Sequence, residues 1–120
     1  MNFELKKLSY DLVVAGGGFS GICAAVTASR LGLKTAIINN RGYMGGNAGV
    51  EAAVSVNGAT GTSEFNLFSR ETGIVEEILL ENLHRNPESN RFIWDAVLND
   101  KLLAEKNLDV FRDCTVCGAE

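Results

Sequence analysis

The sequence predicts an α/β fold built on a parallel sheet, and the pattern of its N-terminal third is what predicts it. A short apolar run, Leu12–Ala15, leads directly into a glycine cluster, and a stretch rich in small residues follows that cluster. A second short apolar run occupies residues 34–38. The order of strand, helix and strand, completed over about thirty residues, matches the length of one βαβ unit.

The glycine cluster has the spacing Gly16-x-Gly18-x-x-Gly21, which is the fingerprint of a dinucleotide-binding strand–turn–helix unit. Gly16 permits a tight turn after the strand, Gly18 lets the backbone approach a pyrophosphate, and Gly21 lets the helix pack closely on the sheet. The helix then directs its free N–H groups and the positive end of its dipole towards the phosphates. The alternative is a βαβ unit that binds nothing, but three glycines in this register cost backbone entropy.

The rest of the chain adds further helices and a third strand. Gly32 suits the C-terminal cap of the first helix, because it can adopt a positive φ. Apolar residues at three-to-four spacing predict two later helices. The segment 41–69 is rich in Gly, Asn, Ser and Thr, and we expect it to be irregular, with one short strand at 54–56. The predicted spans are 19–31, 70–85 and 90–106 for the helices and 108–113 for the third parallel strand.

The segment 10–25 resembles the N-terminus of FAD-dependent oxidoreductases with a glutathione-reductase-type Rossmann domain. The run 39–49, which contains Gly45 and Gly46, resembles the Gly-Gly segment that those flavoproteins carry near the FAD ribose and pyrophosphate. Nicotinamide dehydrogenases usually lack this second pair, so the resemblance favours FAD over NAD. It implies an α/β, Rossmann-like three-layer FAD/NAD(P)-binding fold with a parallel sheet, of which this chain forms the N-terminal part.

The resemblance also implies a set of cofactor-binding residues. At the end of the second strand, Asn39 stands where family members commonly carry an acidic residue that holds the adenosine ribose hydroxyls. An amide can accept one hydroxyl hydrogen bond but offers no charge, so Asn40 or Arg41 could assist in holding the ribose. Because no negative charge at this position repels a 2′-phosphate, NADP stays open as an alternative cofactor. Val116 is a candidate for backbone contact with adenine. The predicted set is Gly16, Gly18, Phe19, Ser20, Gly21, Asn39, Asn40, Arg41, Gly45, Gly46, Asn47 and Val116.

Composition fits a single globular domain over residues 1–120. Hydrophobic residues make up 46% of the chain and charged residues 22%, which are normal values for a soluble protein. The net charge is −4 and there is no basic cluster, which argues against a nucleic-acid partner. No apolar stretch is long enough to cross a bilayer. We therefore expect a cytoplasmic protein without nucleic-acid or membrane partners.

Few side chains in the sequence suggest catalysis. Cys114 and Cys117 have CxxC spacing, but no second cysteine pair completes a tetrahedral metal site and the only histidine is distant in sequence. We expect this pair, and Cys23 in the first helix, to be structural. His84 falls at a predicted helix end, where a cap or surface role is expected. Trp94 is expected to anchor the core, with contact to a further part of a larger protein as the alternative. Catalytic residues stay unassigned.

The first strand bears on the function of the chain. Leu12–Ala15 is apolar on both faces, as in a central parallel strand, yet the strand order third–second–first leaves its outer edge without a partner. We expect the N-terminal, ADP-binding part of a longer FAD-dependent oxidoreductase of unknown substrate, with weak or absent FAD binding by these residues alone. A second copy covering the edge, as a homo-oligomer, is the alternative. A small NAD(P)-binding module and a truncated, non-catalytic paralogue serving as an interaction domain stay open.

Overall fold

The computed structural model describes residues 4–59 and 67–119. Within this part, the chain forms three short strands and three α-helices, together with one turn of 3₁₀ helix. This arrangement confirms the predicted α/β class. In chain order the elements are β1 (Leu12–Ala15), α1 (Phe19–Arg30), β2 (Thr35–Ile38), the 3₁₀ helix Gly46–Ala48, α2 (Ile74–Arg85), α3 (Arg91–Leu103) and β3 (Leu108–Phe111).

The strands form a parallel sheet in the order β1-β2-β3, with β2 in the centre. Val14 lies opposite Ile37, and Ile37 lies opposite Val110. Side chains of strand partners point to the same face of a sheet, so these three residues lie together on one face. The predicted strand order is therefore confirmed, and the carboxyl ends of all three strands meet at the same edge.

One apolar core fills the space between this face and the helices. Helix α1 contacts all three strands, α3 contacts β3, and α2 packs on α1 and α3. Trp94 packs against the core from its rim, which confirms the anchoring role expected for it. The buried members of the core are Ile22, Ala25, Val26, Ile37, Met44, Ile78, Val97, Leu98, Leu102 and Leu108.

The opposite face of the sheet is much less covered by the described residues. Tyr10 lies on it, where its hydroxyl donates to Asp109 Oδ2 at 2.7 Å and its ring meets Phe111 edge-on at 6.2 Å. The hydrogen bond to this carboxylate raises the pKa of Tyr10. Val13 is 51% exposed, and Leu12 at the outer edge of β1 is 38% exposed. Within 4–59 and 67–119, no strand pairs with that edge.

The helix boundaries differ modestly from those predicted. Helix α1 ends at Arg30, one residue earlier than expected, and Gly32 follows with a φ of +91°, as the predicted cap requires. Helix α2 begins at Ile74 rather than at residue 70, because Gly73 has a φ of +69° and interrupts helical backbone. Helix α3 ends at Leu103, since the chain turns at once to enter β3. None of the helices in the described ranges is both long and apolar enough to span a bilayer.

The prediction of a strand at 54–56 is wrong. The N–H of Val54 donates to Asn47 O at 2.9 Å, beside the 3₁₀ helix, and Ala53 adopts a φ of +52°. These contacts hold the segment against the preceding loop instead of in a strand ladder. The remainder of the irregular segment includes residues 60–66, which lie outside the described part.

Candidate functional site

The turn between β1 and α1 uses its glycines in different ways. Gly16 has a φ of +123°, and its N–H donates to Ile38 O at 2.8 Å, which ties the turn to β2. A Cβ on Gly21 would lie 2.1 Å from Gly16 O, so only glycine permits this approach of helix to strand. The turn and packing roles predicted for these two residues are confirmed. Around Gly18, by contrast, an added Cβ would meet no atom within 4 Å.

The N-terminus of α1 is suited to an anion. Gly18 is the N-cap residue, no side chain caps the helix, and its first turn contains no acidic residue. The first helical hydrogen bond runs from Ile22 N to Gly18 O at 2.9 Å. The N–H groups of the preceding residues therefore lack an intrahelical acceptor, and the positive end of the helix dipole adds to them. Phosphate groups are the ligands that such a terminus favours.

The second glycine segment lies directly beside this turn. Gly45 N donates to Gly17 O at 2.7 Å, and Gly18 and Gly45 form an isolated parallel bridge. A Cβ on Gly46 would lie 3.1 Å from the Cα of Gly18. The fold therefore brings together the two glycine segments that the sequence indicates for cofactor binding, although they are far apart along the chain.

A cavity of about 420 Å³ opens where these segments meet. The predicted site residues Gly18, Phe19, Ser20, Gly45 and Asn47 line it. Its other wall is formed by Ala48 and the irregular segment 54–57, none of which belongs to the predicted set of site residues. Periodicity carries no signal for such a wall, because the wall is held by loop contacts rather than by a regular element.

Phe19 packs against α3. Its ring stacks on Trp94 with centroids 5.9 Å apart, and Trp94 Nε1 donates to Ala48 O at 2.6 Å. The indole therefore holds the first residue of α1 and the 3₁₀ helix in one arrangement. A second cavity, of about 240 Å³, shares Ala48 and residues 54–56 as lining with the first and is lined in part by Trp94.

Asn39, at the end of β2, is buried and fully engaged with backbone. Its Oδ1 accepts from Gly17 N at 3.2 Å, and its Nδ2 donates to Arg41 O at 3.1 Å and to Tyr43 O at 2.8 Å. The amide thus links the first glycine segment to the loop after β2. Asn40, the next residue, is exposed. Contact of either residue with a ribose stays a prediction.

The outer rim of the site is formed by the ends of β2 and β3. Arg41 is exposed and pairs with Glu51 at 3.2 Å. The N–H of Cys114 donates to Asn39 O at 3.0 Å, which joins the segment after β3 to the loop after β2. Val116, two residues further on, is 45% exposed. Its predicted contact with adenine is therefore sterically accessible from the rim and stays a prediction.

The other reactive side chains lie away from this site or are exposed. Cys23 is half-buried on α1, and burial raises the pKa of its thiol, which disfavours the reactive thiolate. Cys114 and Cys117 are free, exposed thiols that follow β3. His84 is exposed in the last turn of α2, at the helix end where the sequence placed it. Across the described residues, no group of three or more His, Cys, Asp or Glu side chains could hold a metal ion.

Comparison with known proteins gives a consistent result. A family model described as FAD dependent oxidoreductase matches residues 11–120. Dihydrolipoyl dehydrogenase of Trypanosoma brucei brucei is 57% identical over 37 residues, which are 31% of this chain and 8% of that protein. Pseudooxynicotine dehydrogenase of a Pseudomonas species is 51% identical over 41 residues, 34% of this chain and 8% of that protein. Dihydrolipoyl dehydrogenase 1, mitochondrial, of Arabidopsis thaliana is 56% identical over 36 residues, 30% and 7% of the two chains. The matched parts thus span less than a tenth of these relatives.

The geometry of the site fits the diphosphate of FAD. The space beside Gly18 is open to a ligand, the N-terminus of α1 presents free N–H groups, and neither is blocked by a capping or acidic side chain. The family match covers all of the chain after residue 10. On this basis the chain belongs to the FAD-dependent oxidoreductase family, whose cofactor is FAD.

Proposed function

We propose that this chain, chiefly through residues 11–49, holds the diphosphate and the adenosine half of FAD in an oxidoreductase that passes reducing equivalents between a substrate and the flavin. The observation that carries this proposal is the parallel bridge between Gly18 and Gly45 at the N-terminus of α1. When FAD is bound, its isoalloxazine supplies the redox chemistry, and the protein supplies position and electrostatics. The residues of this chain therefore bind and orient the cofactor.

The diphosphate is held mainly by backbone. The N–H groups of the first turn of α1 donate to phosphate oxygens, and the helix dipole favours their negative charge. The side chains of Ser20 and Asn47 line the same cavity and can donate further hydrogen bonds. Because the donors are mostly main-chain groups, binding is sensitive to a side chain placed at Gly18 and less sensitive to loss of any one polar side chain.

The adenosine half extends from this cradle towards the ends of β2 and β3. Asn40 and Arg41 are exposed polar residues on that rim and would meet the ribose, and Val116 would meet the adenine. The substrate is a small molecule whose binding residues are not among those assigned. We also propose a cytoplasmic location, since three free cysteines suit a reducing compartment.

The test of this function is Gly18→Val in the full-length protein expressed from its natural gene. Gly18 has a φ of −66° and open space around its missing Cβ, so the backbone tolerates a side chain. The added group instead fills the space proposed for the diphosphate. We expect at least a roughly tenfold loss of FAD affinity, equivalent to about 1.4 kcal/mol, when the apoprotein is titrated with FAD.

Ala24→Val is the matched control, because it places the same side chain at an exposed position of α1. This variant should bind FAD as the unmodified protein does. Unchanged FAD affinity in Gly18→Val would refute the proposed function. A full-length protein that takes up no flavin would also refute it and would favour a non-catalytic interaction domain.

A further inference from the structure

We propose that Asn39 is a positioning residue that clamps the two glycine segments together, and that it is not a ligand of the ribose. This inference rests on the proposed function of the glycine site. The carboxyl end of β2 is where an acidic residue commonly holds the ribose of a dinucleotide. In this chain the side chain at that place is 9% exposed and directs its hydrogen bonds at the protein's own backbone.

The clamp acts through Gly17. A Cβ on Gly17 would lie 2.8 Å from both Cβ and Cγ of Asn39 and 2.3 Å from Met44 Sδ, so the amide and the thioether occupy the space that a side chain at 17 would need. The peptide groups of Gly17 are held on both sides: Asn39 Oδ1 accepts from its N–H at 3.2 Å, and its carbonyl accepts from Gly45 N at 2.7 Å. One path of hydrogen bonds therefore runs from Asn39 through Gly17 to Gly45. The bridge that forms the diphosphate cradle lies at the end of this path.

An amide is the side chain that this position requires. Its two N–H groups satisfy the carbonyls of Arg41 and Tyr43, while its oxygen accepts from Gly17 N. A carboxylate would have no hydrogen to offer these two carbonyls and would face their oxygens with like partial charge in a buried place. The clamp therefore explains why this chain carries asparagine rather than an acid at the end of β2.

The decisive variant is Asn39→Asp in the full-length protein, because the two roles predict opposite results. A ribose ligand would bind hydroxyls better as a carboxylate, so FAD affinity would rise and would fall again in acid. The clamp predicts at least a roughly tenfold loss of FAD affinity at about pH 8 and a Tm of the apoprotein lower by about 5 °C. Burial raises the pKa of the introduced carboxyl, and its protonated form can donate one hydrogen bond. Both losses should therefore diminish as the pH falls to about 5.

Asn40→Asp is the control for charge. It introduces the same carboxyl one residue along the chain, at an exposed position outside the clamp. This variant should keep the Tm of the apoprotein. Because Asn40 is itself proposed to meet the ribose, the control is read from the Tm: a Tm lowered in Asn39→Asp but not in Asn40→Asp reports loss of the clamp and not the added charge.

A second measurement tests ribose contact directly. Asn39→Ala and the unmodified protein are compared for binding of ADP, 2′-deoxy-ADP and 3′-deoxy-ADP in competition with FAD. If the side chain does not touch the ribose, removal of a hydroxyl lowers affinity by the same factor in both proteins, within about twofold. A hydroxyl effect that disappears in Asn39→Ala would overturn the clamp. This comparison uses Asn39→Ala, so it stands even where Asn39→Asp does not fold.

The outcomes separate the two proposals. If Gly18→Val loses FAD while Asn39→Asp binds it equally well or better, the clamp is wrong and the function of the glycine site stands. If Gly18→Val keeps its affinity, the function fails, whatever the Tm of the Asn39 variants. Both proposals are supported if three results are found together. Gly18→Val loses affinity for FAD, Asn39→Asp regains FAD affinity in acid, and removal of a ribose hydroxyl lowers affinity by the same factor in Asn39→Ala as in the unmodified protein.

Discussion

The carboxyl end of β1 and the outer edge of the same strand differ in how many contacts they make with the rest of the described chain. At the carboxyl end, Gly16 N is bound to Ile38 O and the following turn is joined to Gly45 by a hydrogen bond of 2.7 Å. Along the outer edge, Leu12 is 38% exposed and Val13 on the second face is 51% exposed. The carboxyl end of β1 is thus tied to β2 and to the second glycine segment by hydrogen bonds, whereas the outer side of the strand exposes apolar side chains in the described part of the chain.

The largest expected effect comes from Gly21→Val, which disturbs the packing of α1 against the carboxyl end of β1. A Cβ here would lie 2.1 Å from Gly16 O, so α1 would have to move off the strand. We expect the free energy of unfolding to fall by about 3 kcal/mol or more, measured by urea denaturation. Gly18→Val adds the same group where an added Cβ meets nothing, and should change stability by less than about 0.5 kcal/mol. Equal stability of the two variants would show that the close packing of helix and strand is not required.

The next effect concerns the exposed side of β1. Val13 and Val54 are similarly exposed, at 51% and 55%, but only Val13 belongs to a strand that is apolar on both faces. If a further layer or a second copy covers β1 in the full-length protein, Val13→Lys buries a charge and should cost about 2 kcal/mol or more. Val54→Lys should cost less than about 0.5 kcal/mol.

Urea denaturation measures this difference, and light scattering distinguishes a second copy from a layer of the same chain. A protein that changes its oligomeric state in Val13→Lys would indicate the second copy. Equal and small losses in both lysine variants would show that β1 stays open to solvent.

The smallest effect is expected where the C-terminal end of α1 meets α2 and α3. Arg30 pairs with Glu77 at 2.8 Å and lowers the pKa of that carboxyl, and Lys101 approaches the same group at 3.4 Å. The pair is partly exposed, so Glu77→Gln should cost less than about 1 kcal/mol. Because the folded-state pKa is lowered, this contribution is present above the ordinary glutamate pKa and is lost as the pH falls through the folded value.

The stability difference between Glu77→Gln and the unmodified protein should therefore be greatest near neutral pH and vanish in acid, as followed by urea denaturation at each pH. Glu88→Gln is the control, because Glu88 is exposed and forms no ion pair within the described ranges. The ion-pair account would be wrong if the two glutamine variants showed the same dependence on pH.

Local rules were sufficient for much of the fold. The spacing of Gly16, Gly18 and Gly21 after an apolar run predicts the β1–α1 turn, because positive φ and close helix packing are requirements of single positions. Apolar periodicity predicts the two later helices, and the start of α2 is displaced because Gly73 breaks helical backbone. The strand predicted at 54–56 does not form, because residues that favour β-structure still need a neighbouring strand to pair with.

The sequence by itself determined the βαβ unit and the first glycine segment, because both depend on the backbone freedom or apolar pattern of neighbouring residues. The second glycine segment was indicated by the resemblance to FAD-dependent oxidoreductases. Only the tertiary structure decided that Gly45 pairs with Gly18 and that segment 54–57 lines the cavity. It also decided that the amide of Asn39 forms its hydrogen bonds with the backbone of Gly17, Arg41 and Tyr43. The physical reason is that a hydrogen bond needs a partner at a defined distance and angle. Which distant residue supplies that partner follows from how the strands and loops pack.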